Sequence, residues 1–407
     1  MVKTITILDL GSFEARAILA TFKGTEPPQV LGVGKIPSKG IKKGVVVDIN
    51  EASQMVRHVL QIVENISGLS RGELLVAVNG TNLKSVNTKG IVAVSRADRQ
   101  IMQSDVERAV RAAQVTLAAP NREIISIMPR GFSIDNEEGI RNPIGMNGIR
   151  LEVDTVIISA SSPFLRNLSK AVSLSGAKPS EFIPGPLACG EALISKKQKE
   201  LGTAVVDIGS DTTSIILYED GEVLSLEVLP VGSNLITSDI AIGLRIDIDS
   251  AETIKVKYGT ALPEKVRKTE VIELRSLGLE DDSRVRRVEV AEIIAARARE
   301  LLAMVGRNFE KVGRRNFLPA GVVLAGGGSK LEGMVDIAKD ELKLPVRLGF
   351  PEHFQGLVDE VLDPSFVKGA GLVMWRVHQE TLKPSHEESS IQKIGSVFQD
   401  FFRRILP

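Results

Sequence analysis

Apolar positions recur along this chain with two periods. Short runs rich in Ile, Val and Leu, bounded by Gly, Pro, Asp or Asn, predict strands at 73–79, 90–94, 124–128, 153–159, 204–208, 213–219 and 320–325. Apolar residues three and four apart predict helices at 50–67, 104–117, 163–175, 250–257 and 288–311. Strands and helices in alternation predict an α/β protein. Residues 376–390 are polar, lack either period, and read as a flexible linker.

One pattern occurs twice. Residues 7 to 19 and residues 205 to 217 each run from an apolar strand through Asp-(Leu/Ile)-Gly-Ser and a polar turn into a second apolar strand. Asp9 and Asp207 stand almost half a chain apart. Two such hairpins at that separation predict two similar domains facing each other across a cleft. A third glycine turn, Gly326-Gly327-Gly328, follows the apolar run Val322-Val323-Leu324-Ala325 and precedes a helix that ends before Leu344-Pro345. Strand, glycine turn and helix N-terminus let backbone approach a ligand closely.

The last segment has a period of its own. On a helix from Ile391, one half of the wheel holds Ile391, Ile394, Val397, Phe398, Phe401, Phe402, Ile405 and Leu406. Lys393, Asp400, Arg403 and Arg404 fall on the other half, and only Gly395 is out of place. The segment would be about 24 Å long. It follows a polar linker, ends the sequence, and carries three of the 13 phenylalanines. An isolated helix this short is marginal in water, so it is expected to fold as its apolar face enters a lipid interface.

Composition removes several other classes. The 407 residues are too many for one ordinary core. Fifty-one basic residues balance 51 acidic ones, which gives no global argument for nucleic acid. The single cysteine, Cys189, excludes an intrachain disulfide framework and reads as a small buried hydrophobe. The N-terminus lacks the apolar core of a signal peptide, and no stretch reaches 18 uncharged apolar residues. A cytoplasmic protein is expected.

The glycine hairpins carry the candidate chemistry. A polyphosphate needs several backbone N–H donors aimed at one point, with no side chain in the way. Asp9 and Asp207, at the strand ends before the turns, are placed to hold Mg²⁺ through its waters. Each Asp-X-Gly-Ser alone is an ordinary turn; three such elements in this order are more specific.

These elements resemble the superfamily of actin, sugar kinases and heat-shock chaperone ATPases. A narrower resemblance, to the FtsA family, rests on Val78-Asn79-Gly80-Thr81, Arg141-Asn142-Pro143-Ile144-Gly145, Leu229-Pro230-Val231-Gly232-Ser233-Asn234 and Ala251-Glu252-Thr253-Ile254-Lys255. It covers residues 1–375 in order. The resemblance implies an actin-like α/β fold, with two duplicated domains around a nucleotide cleft, an inserted α/β subdomain and a C-terminal amphipathic helix. It implies ATP and Mg²⁺ as ligands. Asp9, Gly11, Ser12 and Phe13 match the first phosphate loop, with Arg16 at its basic position. Asp207, Gly209, Ser210, Asp211 and Thr212 match the second, and Gly326, Gly327 and Gly328 the adenosine loop. Glu252 and Lys255 fall on the helix that holds ribose or base; the alternative for them is a surface salt bridge.

The implied division of the chain is 1–83 with 163–202, an insert at 84–162, 203–233 with 312–375, a further subdomain at 234–311, the linker 376–390, and the membrane helix 391–407. Two departures from the pattern matter. Asp211 stands where a γ-phosphate would repel it. Gly185, before Pro186-Leu187-Ala188, stands where polymerising relatives place a water-orienting Gln or Glu, so slow or absent hydrolysis is expected. The resemblance further implies filaments of the chain itself and contact of the insert with later division proteins. It also implies capture of the FtsZ C-terminal peptide, for which Arg297 and Arg299 are candidates beside Arg307 and Lys311. A solvated helix face is the alternative for each. The expected place is the cytoplasmic face of the cell membrane, at the division site. Two other readings stay open: a PilM-like pilus-assembly adaptor and a sugar-kinase-type phosphotransferase.

Overall fold

The computed structural model describes residues 2–24, 26–115, 121–277 and 284–381. The amphipathic segment 391–407 and most of the expected linker lie outside the described residues.

The chain opens with β1 (Lys3–Leu10), β2 (Glu14–Phe22), β3 (Gln29–Pro37), β4 (Ile41–Lys42), β5 (Val45–Val46), α1 (Ile49–Ser67) and β6 (Glu73–Val78). Then come β7 (Lys84–Ala93), α2 (Gln103–Val115), β8 (Arg122–Ile134), β9 (Glu137–Ile140) and β10 (Arg150–Ser161). These five form one unit, a sheet of order β7-β10-β8-β9 backed by α2. Next are α3 (Ser162–Leu174), β11 (Glu181–Pro184), α4 (Gly185–Leu193) and α5 (Lys196–Leu201).

The second half runs β12 (Thr203–Ile208), β13 (Thr213–Glu219), β14 (Glu222–Leu229), α6 (Asn234–Leu244), α7 (Ile248–Tyr258), β15 (Val271–Glu273), β16 (Arg284–Arg286), α8 (Arg287–Lys311), β17 (Val322–Ala325), α9 (Met334–Leu342) and β18 (Val346–Leu348). Finally come β19 (Gln355–Gly356) and α10 (Val367–Thr381).

The repeat seen in the sequence is a repeat of topology. One sheet has the order β3-β2-β1-β6-β11, and the other β14-β13-β12-β17-β18. In both, the first three strands are antiparallel and the last two join in parallel. The central strands are buried on both faces, as sheets covered by helices require. Helix α1 shows how one layer forms. Asp48 caps it by accepting from the Asn50 and Glu51 amides, Gly68 ends it at φ 66°, and Met55, Val56, Val59, Leu60 and Val63 make its buried stripe. Helix α4 lies between the sheets. Its Ala188 packs with Ile5 and Ile7 of the first, and its Leu187 and Cys189 with Val205 and Ile216 of the second. Cys189 is fully buried.

Two expectations need correction. Residues 355–375 do not stay with the second half. Strand β19 pairs with β3, and α10 buries Ala370, Leu372 and Val373 against Ile5, Ile7 and Leu75 of the first sheet. The linker does not start at 376, because α10 runs on to Thr381. Val377 is buried there, Arg376 pairs with Glu73 and Glu380, and Glu380 also pairs with Lys3. The helix expected after the triple glycine is α9, which ends at Leu342; a single 3₁₀ turn, Gly327–Lys330, comes first, and Gly333 at φ 81° separates the two.

Candidate functional site

The three glycine turns meet in one cleft of about 670 Å³ between the two halves. All fifteen residues singled out as nucleotide ligands line it: Asp9, Gly11, Ser12, Phe13, Arg16, Asp207, Gly209, Ser210, Asp211, Thr212, Glu252, Lys255, Gly326, Gly327 and Gly328. Sequence reasoning did not pick out Gly44, Asn79, Ser233, Asn234, Arg287, Ser365 and Lys368, which also line it.

The first two turns share one hydrogen-bond design. The Gly11 amide donates to Glu14 O (3.1 Å), and the Gly209 amide donates to Thr212 O (2.9 Å). A Cβ at either glycine would stand 2.8 or 3.0 Å from that same oxygen, so only glycine closes so tight a turn. The third turn closes over the second. A Cβ on Gly326, at φ 82°, would meet Asp207 Oδ1 at 2.4 Å. Pro364 O holds the Gly326 amide (3.0 Å), and the Ser329 hydroxyl donates back to Gly326 O (2.6 Å).

A fourth turn completes the rim. Strands β4 and β5 are joined by Lys43 and Gly44, with φ of 50° and 72°, the hand that a two-residue hairpin prefers. Its two amides point to opposite halves. Gly44 N donates to Ser12 Oγ (3.0 Å), and Lys43 N to Asp211 Oδ2 (3.1 Å). The Asn234 amide holds the other Asp211 oxygen (2.8 Å). Asp211 is thus turned onto two donors, one from each half of the cleft.

In the wall formed by α6 and α7, Lys255 is buried to 7% exposure and donates to Glu252 Oε2 (2.6 Å) and Thr237 Oγ1 (2.8 Å). Thr237 donates in turn to Glu252 Oε2 (2.6 Å). The pair is a part-buried network in the cleft wall, not a surface salt bridge.

The two aspartates are nearly sealed, at 3% and 4% exposure. The Asn79 amide donates to Asp9 Oδ1 (2.7 Å). The Lys368 ammonium lies 2.6 Å from Asp207 Oδ2. Burial opposes the charge on Lys368, but the Asp207 and Asp9 carboxylates hold its pKa above the ordinary lysine value. Among the described residues, no group of three or more His, Cys, Asp or Glu side chains could hold a metal. Two carboxylates at the strand ends would suit Mg²⁺ held through its waters, and an ammonium already stands on one of them. The signal for Lys368 was legible: it is the only charged residue between Asp363 and Arg376.

Gly185 opens α4 directly beneath this group. A Cβ there would meet Asn79 Oδ1 at 2.2 Å and Lys368 Cδ at 3.3 Å. A longer side chain at this position would have to shift the Asn79 and Lys368 side chains.

Of the two arginines proposed to meet a partner, Arg297 is engaged within the chain. It forks onto Asp239 at 2.5 and 2.9 Å and reaches Glu300 at 2.6 Å. Arg299 is exposed on the same helix, α8. No helix among the described residues is long and apolar enough to cross a membrane.

Comparison with known proteins agrees with this arrangement. Residues 204–371 match the family described as cell division protein FtsA, and residues 80–159 match the SHS2 domain inserted in FtsA. The chain is 33% identical over 379 residues to the cell division protein FtsA of Pseudomonas aeruginosa, covering 93% of this chain and 90% of that protein. It is 33% identical over 393 residues to that of Bacillus subtilis, covering 95% and 88%. Among solved structures, a PilM-PilN type IV pilus biogenesis complex matches with a TM-score of 0.66 at 18% identity, over 92% of this chain and 98% of the other. MreB5 of Spiroplasma citri bound to ADP matches at 0.55 and 11%, over 93% and 97%. A MamK double helical filament matches at 0.51 and 15%, over 93% and 99%. These three likenesses show a shared actin-like fold. Sequence identity over nearly the whole length, together with the inserted SHS2 domain in its place, shows that the chain belongs to the FtsA family of actin-like cell division proteins.

Proposed function

We propose that this chain is an ATP-binding, filament-forming adaptor that ties FtsZ filaments to the cytoplasmic membrane at the division site and recruits later division proteins. The observation that carries this reading is the convergence of three glycine turns on one 670 Å³ cleft in a chain of this family. The first two turns would face the phosphates of ATP, and the Glu252–Lys255 network its nucleoside end. Mg²⁺ that comes with the nucleotide would touch Asp9 through water, and Asp207 to the extent that Lys368 leaves it free. The ADP bound to the structurally similar MreB5 supports a nucleotide in this fold, and the MamK filament supports self-association.

Hydrolysis is slow or absent in this reading. Position 185 carries no group to orient a water, and the Asn79 and Lys368 side chains crowd it. Steady-state phosphate release clearly above the buffer rate would overturn that part.

The segment 391–407 supplies the membrane contact. One short amphipathic helix binds lipid weakly, and many in a filament bind firmly through effective concentration. Arg403 and Arg404 would favour an anionic surface. Exposed Arg299 on α8 would meet the partly acidic FtsZ peptide, and the inserted domain the later partners. The test is liposome co-sedimentation of the full chain and of a chain ending at Ser389, with and without ATP. The full chain should sediment with liposomes, more so with ATP, and the truncated chain should stay in solution. Equal sedimentation of both would remove the anchor.

A further inference from the structure

The inner end of the cleft holds an unusual arrangement of charge. Two carboxylates, Asp9 and Asp207, stand where the two phosphate turns begin, and both are almost sealed from solvent. In such a place two negative groups and an incoming polyphosphate need a cation, since burying like charges together is costly. The chain supplies one itself. Lys368 comes from the first turn of α10, a helix of the opposite chain end, and crosses to Asp207 Oδ2 at 2.6 Å. Its side chain is only 15% exposed.

Two of the three other lysines that line the cleft are committed to carboxylates in its walls: Lys255 pairs with Glu252 and Lys330 with Asp363, and Arg16 likewise pairs with Glu14. Among the described residues, Lys368 is the one paired with a phosphate-turn aspartate. Its position is also built rather than accidental. Gly185 leaves the room through which the lysine stem passes, with Cδ 3.3 Å from where a Cβ would be. Asn79 meanwhile holds Asp9 through its amide (2.7 Å), so that carboxylate is partly satisfied without a metal. An ammonium is a compact point charge with three donors, well suited to bridging a carboxylate and a phosphate oxygen at once.

We propose that Lys368 is a built-in counter-ion of the phosphate site, whose ammonium bridges Asp207 and the bound polyphosphate where a divalent cation would otherwise stand. The chain then takes up a nucleoside triphosphate without requiring Mg²⁺. This inference rests on the nucleotide reading of the cleft and makes the water-mediated metal dispensable. It also gives Gly185 a positive role, since a larger residue there would displace the lysine stem.

Equilibrium binding of ATP to the full chain, by titration calorimetry in Mg²⁺ and in EDTA, tests it. The wild-type dissociation constant should change less than about threefold when Mg²⁺ is removed. Lys368→Met, which keeps the apolar stem and loses the charge, should bind in Mg²⁺ and lose at least about tenfold in EDTA. If Lys368→Met does not fold by circular dichroism, Lys368→Gln takes its place, and the wild-type comparison decides regardless. A wild-type chain that binds in Mg²⁺ but loses ATP tenfold or more in EDTA overturns the inference and leaves the nucleotide reading standing. A chain that binds ATP in neither condition overturns both.

Discussion

Single residues show most clearly how context sets a role. Asp211 reads in the sequence as a carboxylate opposed to phosphate, but its two oxygens accept from Lys43 N and Asn234 Nδ2 and so clasp two halves of the cleft. Gly185 reads as a missing catalytic group. In the folded chain it is a gap that the Asn79 side chain closes off, its Oδ1 2.2 Å from where a Cβ would stand. Its φ is helical, so glycine is needed here for space and not for backbone freedom. Gly185→Ala should therefore destabilise the protein by about 1–3 kcal/mol, the usual cost of overpacking, measured by denaturant unfolding. An unchanged midpoint would mean that Asn79 swings aside freely. Lys368 was open to detection as one cation in an apolar run, yet nothing in its neighbours in sequence names Asp207, 161 residues away, as its partner.

Secondary-structure elements were legible where the pattern was strong and local. Helix α1 and strands β12 and β13 fall where apolar periodicity placed them. Helix α10 did not declare its length. Its second half, Arg376–Thr381, is polar in composition, and Val377, the buried Gln379 and contacts to Glu73, Lys3 and Glu191 dock it. Helices α4 and α10 cross at an unusually close point. A Cβ on Gly371 would lie 1.8 Å from Ala188 O, which is backbone and cannot rotate away. Gly371→Ala should cost at least about 2 kcal/mol, despite alanine's better helix propensity of about 1 kcal/mol. Thermal unfolding of the variant reads the loss. The same variant should weaken ATP binding, since Lys368 sits one turn away on α10 and depends on where that helix rests.

The whole molecule is held together by contacts between parts that the sequence lists far apart. The inserted domain touches the second half through Ser85, which exchanges hydrogen bonds with the Leu226 backbone (2.7 and 2.9 Å). It does so again through Arg130, 3.8 Å from Glu219. Glu219 is forked by Arg314 at 2.7 and 2.8 Å, so one carboxylate joins β8, β13 and the segment after α8. The Arg314 hydrogen bond holds the Glu219 carboxyl below the usual glutamate range, against the opposing effect of burial. A folded pKa below the unfolded one means that the contribution is present at neutral pH and is lost as the pH falls through the folded value. Wild type should thus be more stable than Glu219→Gln at pH 7, with the gap closing below about pH 4. Melting curves of both proteins across that range check the sign, and a gap that widens in acid would contradict it.

The sequence by itself determined the duplicated hairpins, the third glycine turn and the family resemblance. Through that resemblance fifteen residues were marked that line the cleft. Tertiary structure alone decided the rest. It brought residues 355–381 back onto the first sheet, since the folded surface of Ile5, Ile7, Leu75 and Ala188 offers α10 its apolar partner. It turned Asp211 onto its donors and set Lys368 against Asp207. Those pairings depend on where distant backbones come to rest, and periodicity along a chain carries no information about distances across it.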